Sequence, residues 1–142
     1  MFVVPAQVTD ELAELSAKHP SPHAWDLSRL LNNWQNLVSE LGGYPSAIAH
    51  EYMNDLGVRD LLMVSLGLAH EEGKNATLAW ALPVLEDLDR QFLDKTTPDT
   101  DGLIWGPFLE PNMWWRRRLP PDEDLIANLR LVGPEMRGHE YK

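Results

Sequence analysis

The sequence contains no cysteine. Disulfide frameworks, thiolate-bound zinc, iron–sulfur clusters and thiol catalysis are excluded together, and a cytoplasmic setting is the expectation that follows. Long apolar runs are also missing: the greasiest stretch, Val58 to Ala69, is interrupted by Arg59, Asp60 and Ser65, short of the roughly 18–20 residues that span a bilayer. The opening residues Met1 to Pro5 lack a basic stretch and meet Asp10 and Glu11 soon after, so no secretory signal is expected. Positive charge is scarce. Residues 1–103 hold sixteen Asp and Glu against six Lys and Arg, whereas residues 104–142 hold six of each, so the formal net charge of -10 belongs to the first part. Direct binding of nucleic acid, which depends on neutralising phosphates, is disfavoured. Glycine loops of the phosphate-cradling kind are absent, since Gly42-Gly43 follows a helical pattern rather than a strand.

What is present is helical periodicity in a chain of 142 residues, enough for one core, with 44% apolar and 24% charged residues. Thr9 is expected to cap a short helix that carries Asp10 and Glu11 in its first turn and closes before His19-Pro20. Ser21-Pro22 opens the next, in which Leu27, Leu30, Leu31, Trp34, Leu37, Val38 and Leu41 share one face, with Gly42-Gly43 as its end. Pro45 and Ser46 start a third that stops at Gly57. A fourth, Val58 to Glu72, is apolar over more than half its circumference, ends at Gly73, and is expected to lie centrally. A fifth begins at Asn75 or Thr77 and runs through Leu78, Leu82, Leu85, Leu88 and Phe92, with Pro83 inside it.

From Thr96 the texture turns to Pro, Gly and aromatic residues. Met113 to Leu119 reads as an extended strand whose partner is either residues 2–4 or residues 103–105. A last helix follows Pro120-Pro121 and ends near Gly133-Pro134. The expected fold is therefore mainly α, a single domain of five to six helices forming a compact bundle. Residues 1–95 form the helical core, 96–121 an irregular Trp/Pro-rich segment with a short strand pair, 122–133 a terminal helix and 134–142 a tail.

Catalytic constellations are weak. His50 and His70 sit in two Ala-His-Glu triplets on consecutive helices, yet no Glu-x-x-His or His-Glu-x-x-His occurs, and His19 and His23 are separated by prolines. No metal, cofactor or catalytic residue is assigned, and a metal-dependent helical-bundle enzyme stands as a minor alternative that needs His50 and His70 to converge. Ser65 lies in Met-Val-Ser-Leu-Gly, which lacks the first glycine of a nucleophile elbow.

Two features stand out. Trp114, Trp115, Arg116, Arg117 and Arg118 combine the residue types most enriched in interface hot spots. The structural alternative is that Trp115 enters the core, Trp114 faces outward and the arginines pair with the acidic helices. The second feature is an acidic face built from Glu86, Asp87, Asp89 and Asp94, continued by Asp99 and Asp101 and extended by Glu71 and Glu72. The functional expectation is a non-enzymatic acidic protein that binds a basic protein partner, as an inhibitor or immunity-like protein does, through electrostatic complementarity. An accessory subunit of a larger enzyme, docking through residues 105–115, is the alternative. Either is compatible with a homodimer formed on the spare apolar face of residues 58–72.

Overall fold

The structure is a computed structural model that describes residues 2–21, 25–41, 49–104 and 112–140, with the side chains of 49–50 and 132–140 outside the description. Among the described residues there are five helices: α1 (Ala6–Lys18), α2 (Leu27–Glu40), α3 (Ala49–Glu71), α4 (Asn75–Lys95) and α5 (Glu123–Glu140). Between α4 and α5 lie β1 (Thr97–Pro98), a 3-10 turn (Trp114–Arg117) and β2 (Arg118–Leu119). The mainly helical fold with a short strand pair is as the sequence leads one to expect.

The periodic stripe of α2 is buried as a unit: Leu27, Leu30, Leu31, Trp34, Leu37 and Val38 face α3 and α4. From α4, Thr77, Ala81, Leu85, Leu88 and Phe92 complete the same core. α1 lies against α4, α5 against α3, and the 3-10 turn against α3.

Several boundaries differ from the pattern, each for a local reason. α1 begins three residues before Thr9, with Pro5 at the N-cap position; the Thr9 hydroxyl bonds back to the Pro5 carbonyl at 3.3 Å instead of capping. α2 begins at Leu27, where the Asp26 carboxylate accepts the Arg29 N–H at 3.3 Å and takes the capping role expected of Ser21. The helices expected over 45–57 and 58–72 are one, α3, which passes through Gly57. Burial of Tyr52 and Leu56 before that glycine, and of Leu62, Leu66 and Ala69 after it, outweighs the ~1 kcal/mol that glycine costs a helix. The expected start at Pro45-Ser46 lies outside the described residues.

Gly73 does end a helix. With φ of +68° it sits in the left-handed region, while Gly73 N–H reaches the His70 carbonyl and Lys74 N–H the Ala69 carbonyl, closing α3 in a Schellman motif.

Near the C-terminus two corrections apply. The strand expected over 113–119 is reduced to Arg118–Leu119, because Trp114–Arg117 coil into the 3-10 turn. Its antiparallel partner is Thr97–Pro98, with Thr97 opposite Leu119 and Pro98 opposite Arg118, and neither of the two expected segments. The terminal helix does not stop near Gly133-Pro134: α5 continues to Glu140, so residues 134–140 are helix rather than tail. Proline there removes one N–H, the donor to the Arg130 carbonyl, and a helix can bend past such a gap without ending.

Candidate functional site

The Trp/Arg segment meets the helices at two successive residues of α3, Arg59 and Asp60. Arg59 is 7% exposed. Its fork engages Asp89 of α4, Nε to Oδ1 at 3.0 Å and Nη2 to Oδ2 at 2.9 Å, and Trp34 of α2 donates its Nε1–H to the same Oδ1 at 3.1 Å. The guanidinium lies over the Trp115 ring at 4.2 Å from its centroid, a cation–π contact. Its third nitrogen, Nη1, is buried without an acceptor.

Asp60 holds the other half. It accepts from Trp115 Nε1 at 2.7 Å and from Arg116 through Nε at 3.0 Å and Nη2 at 2.6 Å. Trp34, Phe92, Trp114 and Trp115 form a chain of ring contacts, with centroids 4.9, 6.0 and 5.7 Å apart in turn. One ion pair, a cation–π contact and four aromatic rings thus fasten the C-terminal segment to α2, α3 and α4, while the Arg59–Asp89 pair joins α3 to α4. Charge-assisted bonds of this kind are worth about 1.5–3 kcal/mol each.

Arg118 acts at a helix end. Its Nη2 donates to the Leu93 carbonyl at 3.1 Å and the Thr96 carbonyl at 2.6 Å, and its Nε to the Thr96 hydroxyl at 3.0 Å, so it satisfies carbonyls that the end of α4 leaves open. The Arg118 carbonyl accepts from the buried Tyr52 hydroxyl at 2.8 Å. Burial, with Asp99 nearby, pushes the Tyr52 phenol well above its ordinary range. Arg117 is exposed and donates to the Met113 carbonyl.

Trp115, Arg116 and Arg118 are therefore used inside the fold, with Trp115 1% exposed, while Trp114 is half-buried and Arg117 faces outward. The structural alternative weighed above holds in part: Trp115 enters the core and Arg116 pairs with a carboxylate, on α3, but Trp114 packs half-buried against Phe92 instead of facing outward, and Arg118 bonds to carbonyls and a hydroxyl instead of a carboxylate.

The acidic set also divides. Asp89 is enclosed with Arg59. Asp99 accepts the Leu103 and Ile104 N–H groups, both at 2.8 Å, around Gly102, whose φ is +63°. Asp101 pairs with Arg130 at 3.0 Å. Glu72 is held by Lys18 and His19, the Lys18 bond being the larger influence, and its carboxyl lies below its ordinary range. What stays together on the exposed side of α4 is Glu86, Asp87 and Asp94, Asp87 being in contact with Arg90 and Gln91.

A cleft of roughly 280 Å³ opens between α2 and α3, lined by Asn33, Asn36, Leu37, Glu40, Asp55 and Val58. Its amides and carboxylates suit a hydrogen-bond-donating, positively charged group.

His70 is exposed, and the His50 side chain lies outside the described residues. Among the described residues no three His, Asp or Glu side chains gather in a way that would hold a metal ion. No helix among them is long and apolar enough to cross a membrane.

Sequence reasoning gave no role to Arg59, Asp60 or Glu11, and placed Tyr52 only on an apolar helix side, where it is indeed buried. For the first two a signal existed: adjacent opposite charges inside the most apolar helix require partners. Which partners, lying 30 and 56 residues away, the pattern does not say.

Comparison of the chain with protein-family models, with curated proteins and with solved structures finds no match to any of them.

Proposed function

We propose that the protein is a non-enzymatic acidic binding protein whose partner is a basic protein, in the manner of an inhibitor or immunity protein. One observation carries this reading. Among the described residues nine of the ten Lys and Arg side chains are engaged within the chain through carboxylates or carbonyls, and the tenth residue, Arg29, is not without a partner either. The exposed carboxylates of Asp10, Glu40, Glu71, Glu86 and Asp94, by contrast, have no partner among the described residues. The surplus negative charge is thus displayed rather than neutralised, and a like-signed surface attracts and steers a cationic one.

The surface proposed for contact is Glu86, Asp87 and Asp94 on α4, with Arg117 and the exposed edge of Trp114 as secondary candidates. The cleft beside Glu40 and Asp55 offers a second place for a basic side chain.

Affinity isolation from native extract at low ionic strength, with wild type and the double variant Glu86→Lys/Asp94→Lys as baits, tests the reading. A basic protein retained by wild type, released by about 0.5 M salt and not retained by the variant supports it, since exposed charges are screened within a few ångströms at that ionic strength. A partner held equally by both baits and at both salt concentrations refutes the electrostatic mode.

A second reading draws on exposed Leu61 and Val64 on the outer side of α3 and Leu131 on α5, the last 78% exposed. These apolar side chains favour an accessory subunit or a homodimer, and a concentration-dependent mass in solution distinguishes that case.

A further inference from the structure

α1 is fastened differently from α2 and α4. It has 13 residues, near the length below which an isolated helix is marginal in water. It buries only Val8, Leu12 and Leu15, against six side chains on α2 and five on α4. Its charged anchors converge on one short stretch, from the turn after α3 to the first turn of α4. Lys18 Nζ meets Glu72 at 2.7 Å, His19 Nε2 lies 3.1 Å from the same carboxylate, and Glu14 pairs with Lys74.

The most complete of these contacts is that of Glu11. Its Oε1 accepts the Thr77 N–H at 2.7 Å and the Thr77 hydroxyl at 2.8 Å, and its Oε2 accepts the Ala76 N–H at 3.3 Å. α4 has no capping side chain of its own: Lys74 occupies the N-cap position and makes no capping bond. A carboxylate from another helix therefore fills the place that a Ser, Thr or Asp usually fills, at the end of α4 where the dipole favours negative charge. Elsewhere the N-terminal segment is tied by two neutral bonds, the Ser28 hydroxyl to the Phe2 carbonyl at 2.7 Å and Trp25 Nε1 to the His19 carbonyl at 2.8 Å.

We infer that α1 is a latch that opens as a unit while α2, α3 and α4 remain folded, with the Glu11 carboxylate on the first turn of α4 as its catch. Units that open before the whole are those with few buried apolar side chains and exposed polar bonds, and α1 has both. The Lys18–Glu72 and Lys74–Glu14 pairs are exposed and contribute little; Glu11 makes several bonds at once with one ionised group. Opening uncovers Val8, Leu12 and Leu15 together with the core surface beneath them, and returns the Ala76 and Thr77 N–H groups to water.

Native-state hydrogen exchange of the full chain across a series of low urea concentrations tests this. The amides of α1 exchange through a shared opening at least tenfold more frequent than that of the α3 and α4 interiors, and with a smaller urea slope because less surface is exposed. Glu11→Ala makes that opening about tenfold or more easier. Asp89→Ala, which weakens contacts present in both the closed and the open forms, speeds exchange in α3 and α4 but leaves the α1 opening unchanged. If the α1 amides follow the same urea dependence as α3, or if Asp89→Ala accelerates both alike, there is no separate latch. If α1 opens separately but Glu11→Ala leaves its rate unaltered, Glu11 is not the catch. Should Glu11→Ala not fold, Thr77→Val, which removes only the hydroxyl donor, makes the same comparison with a several-fold effect.

Discussion

Asp89→Ala is the most informative single substitution in this molecule. The carboxylate it removes accepts two bonds from Arg59 and one from Trp34, at 2.9–3.1 Å, and the Arg59 side chain is only 9% exposed. Truncation leaves a guanidinium enclosed against Trp115 with no counter-charge, and it already carries an unsatisfied Nη1. Removing one member of a buried pair costs about 3–5 kcal/mol, because the remaining charge stays desolvated. Against a total stability of about 5–15 kcal/mol, that is roughly a fifth of the fold's margin at the least and most of it at the other extreme. Urea unfolding followed by tryptophan fluorescence reads the change, with Trp34 and Trp115 as local reporters. The expected result is a lower midpoint at unchanged slope, and a melting temperature lower by about 10–20 °C. Replacing both partners, Arg59→Leu with Asp89→Leu, removes the stranded charge and is expected to recover most of the loss. If Asp89→Ala costs less than about 1 kcal/mol, or if the double variant is no more stable than the single one, then the pair is not an enclosed unit of the core.

Tyr52→Phe is expected to cost about 1 kcal/mol in the same unfolding assay, since the Arg118 carbonyl loses its donor while the ring remains. Because the folded state holds the Tyr52 phenol protonated above its ordinary range, its contribution is complete below about pH 10 and lost as pH rises beyond it; Tyr52→Phe should flatten that alkaline loss. At the acid end the sign reverses. Burial opposes ionisation of Glu11, but the bonds from Thr77 and Ala76 and the Lys74 charge outweigh it and keep the carboxyl below its ordinary range. Glu11 and Glu72 therefore stabilise fully above about pH 4.5 and progressively less as pH falls through their lowered values; Glu11→Gln should reduce the slope of stability against pH there and nowhere else. Asp99→Ala strands the Leu103 and Ile104 N–H groups and is expected to cost about 1–3 kcal/mol by chemical denaturation; a loss below about 0.5 kcal/mol would show that water replaces the carboxylate. Gly102→Ala meets no atom within 4 Å, so its expected cost of about 1 kcal/mol comes from backbone strain alone.

How much of the candidate site could be read in advance depended on where each partner lies in the chain. The outward display of Glu86 and Asp94 follows from local period and composition, whereas Trp115 was open between core and interface, and the extended period assumed there gives way to a 3-10 turn. Asp89 looked like one more carboxylate on a polar helix side until Arg59 came to lie beside it, since i,i+3 and i,i+4 spacing describes a helix and not its neighbours.

The sequence by itself determined the helical class, the buried stripe of α2, the stop at Gly73 and the separation of an acidic portion from a Trp- and Arg-rich one. These depend on interactions between residues a few positions apart: hydrophobic period, the left-handed freedom of glycine, and the sign of charge. Only the tertiary structure decided that Gly57 is bridged rather than obeyed, that β2 pairs with residues 97–98, that Glu11 caps a helix 65 residues away, and that Arg59 and Asp60 fasten the C-terminal segment. Each of these rests on burial or on a bond between groups distant in sequence. Such energies are set by which surfaces meet, and they override local preferences of about 1 kcal/mol.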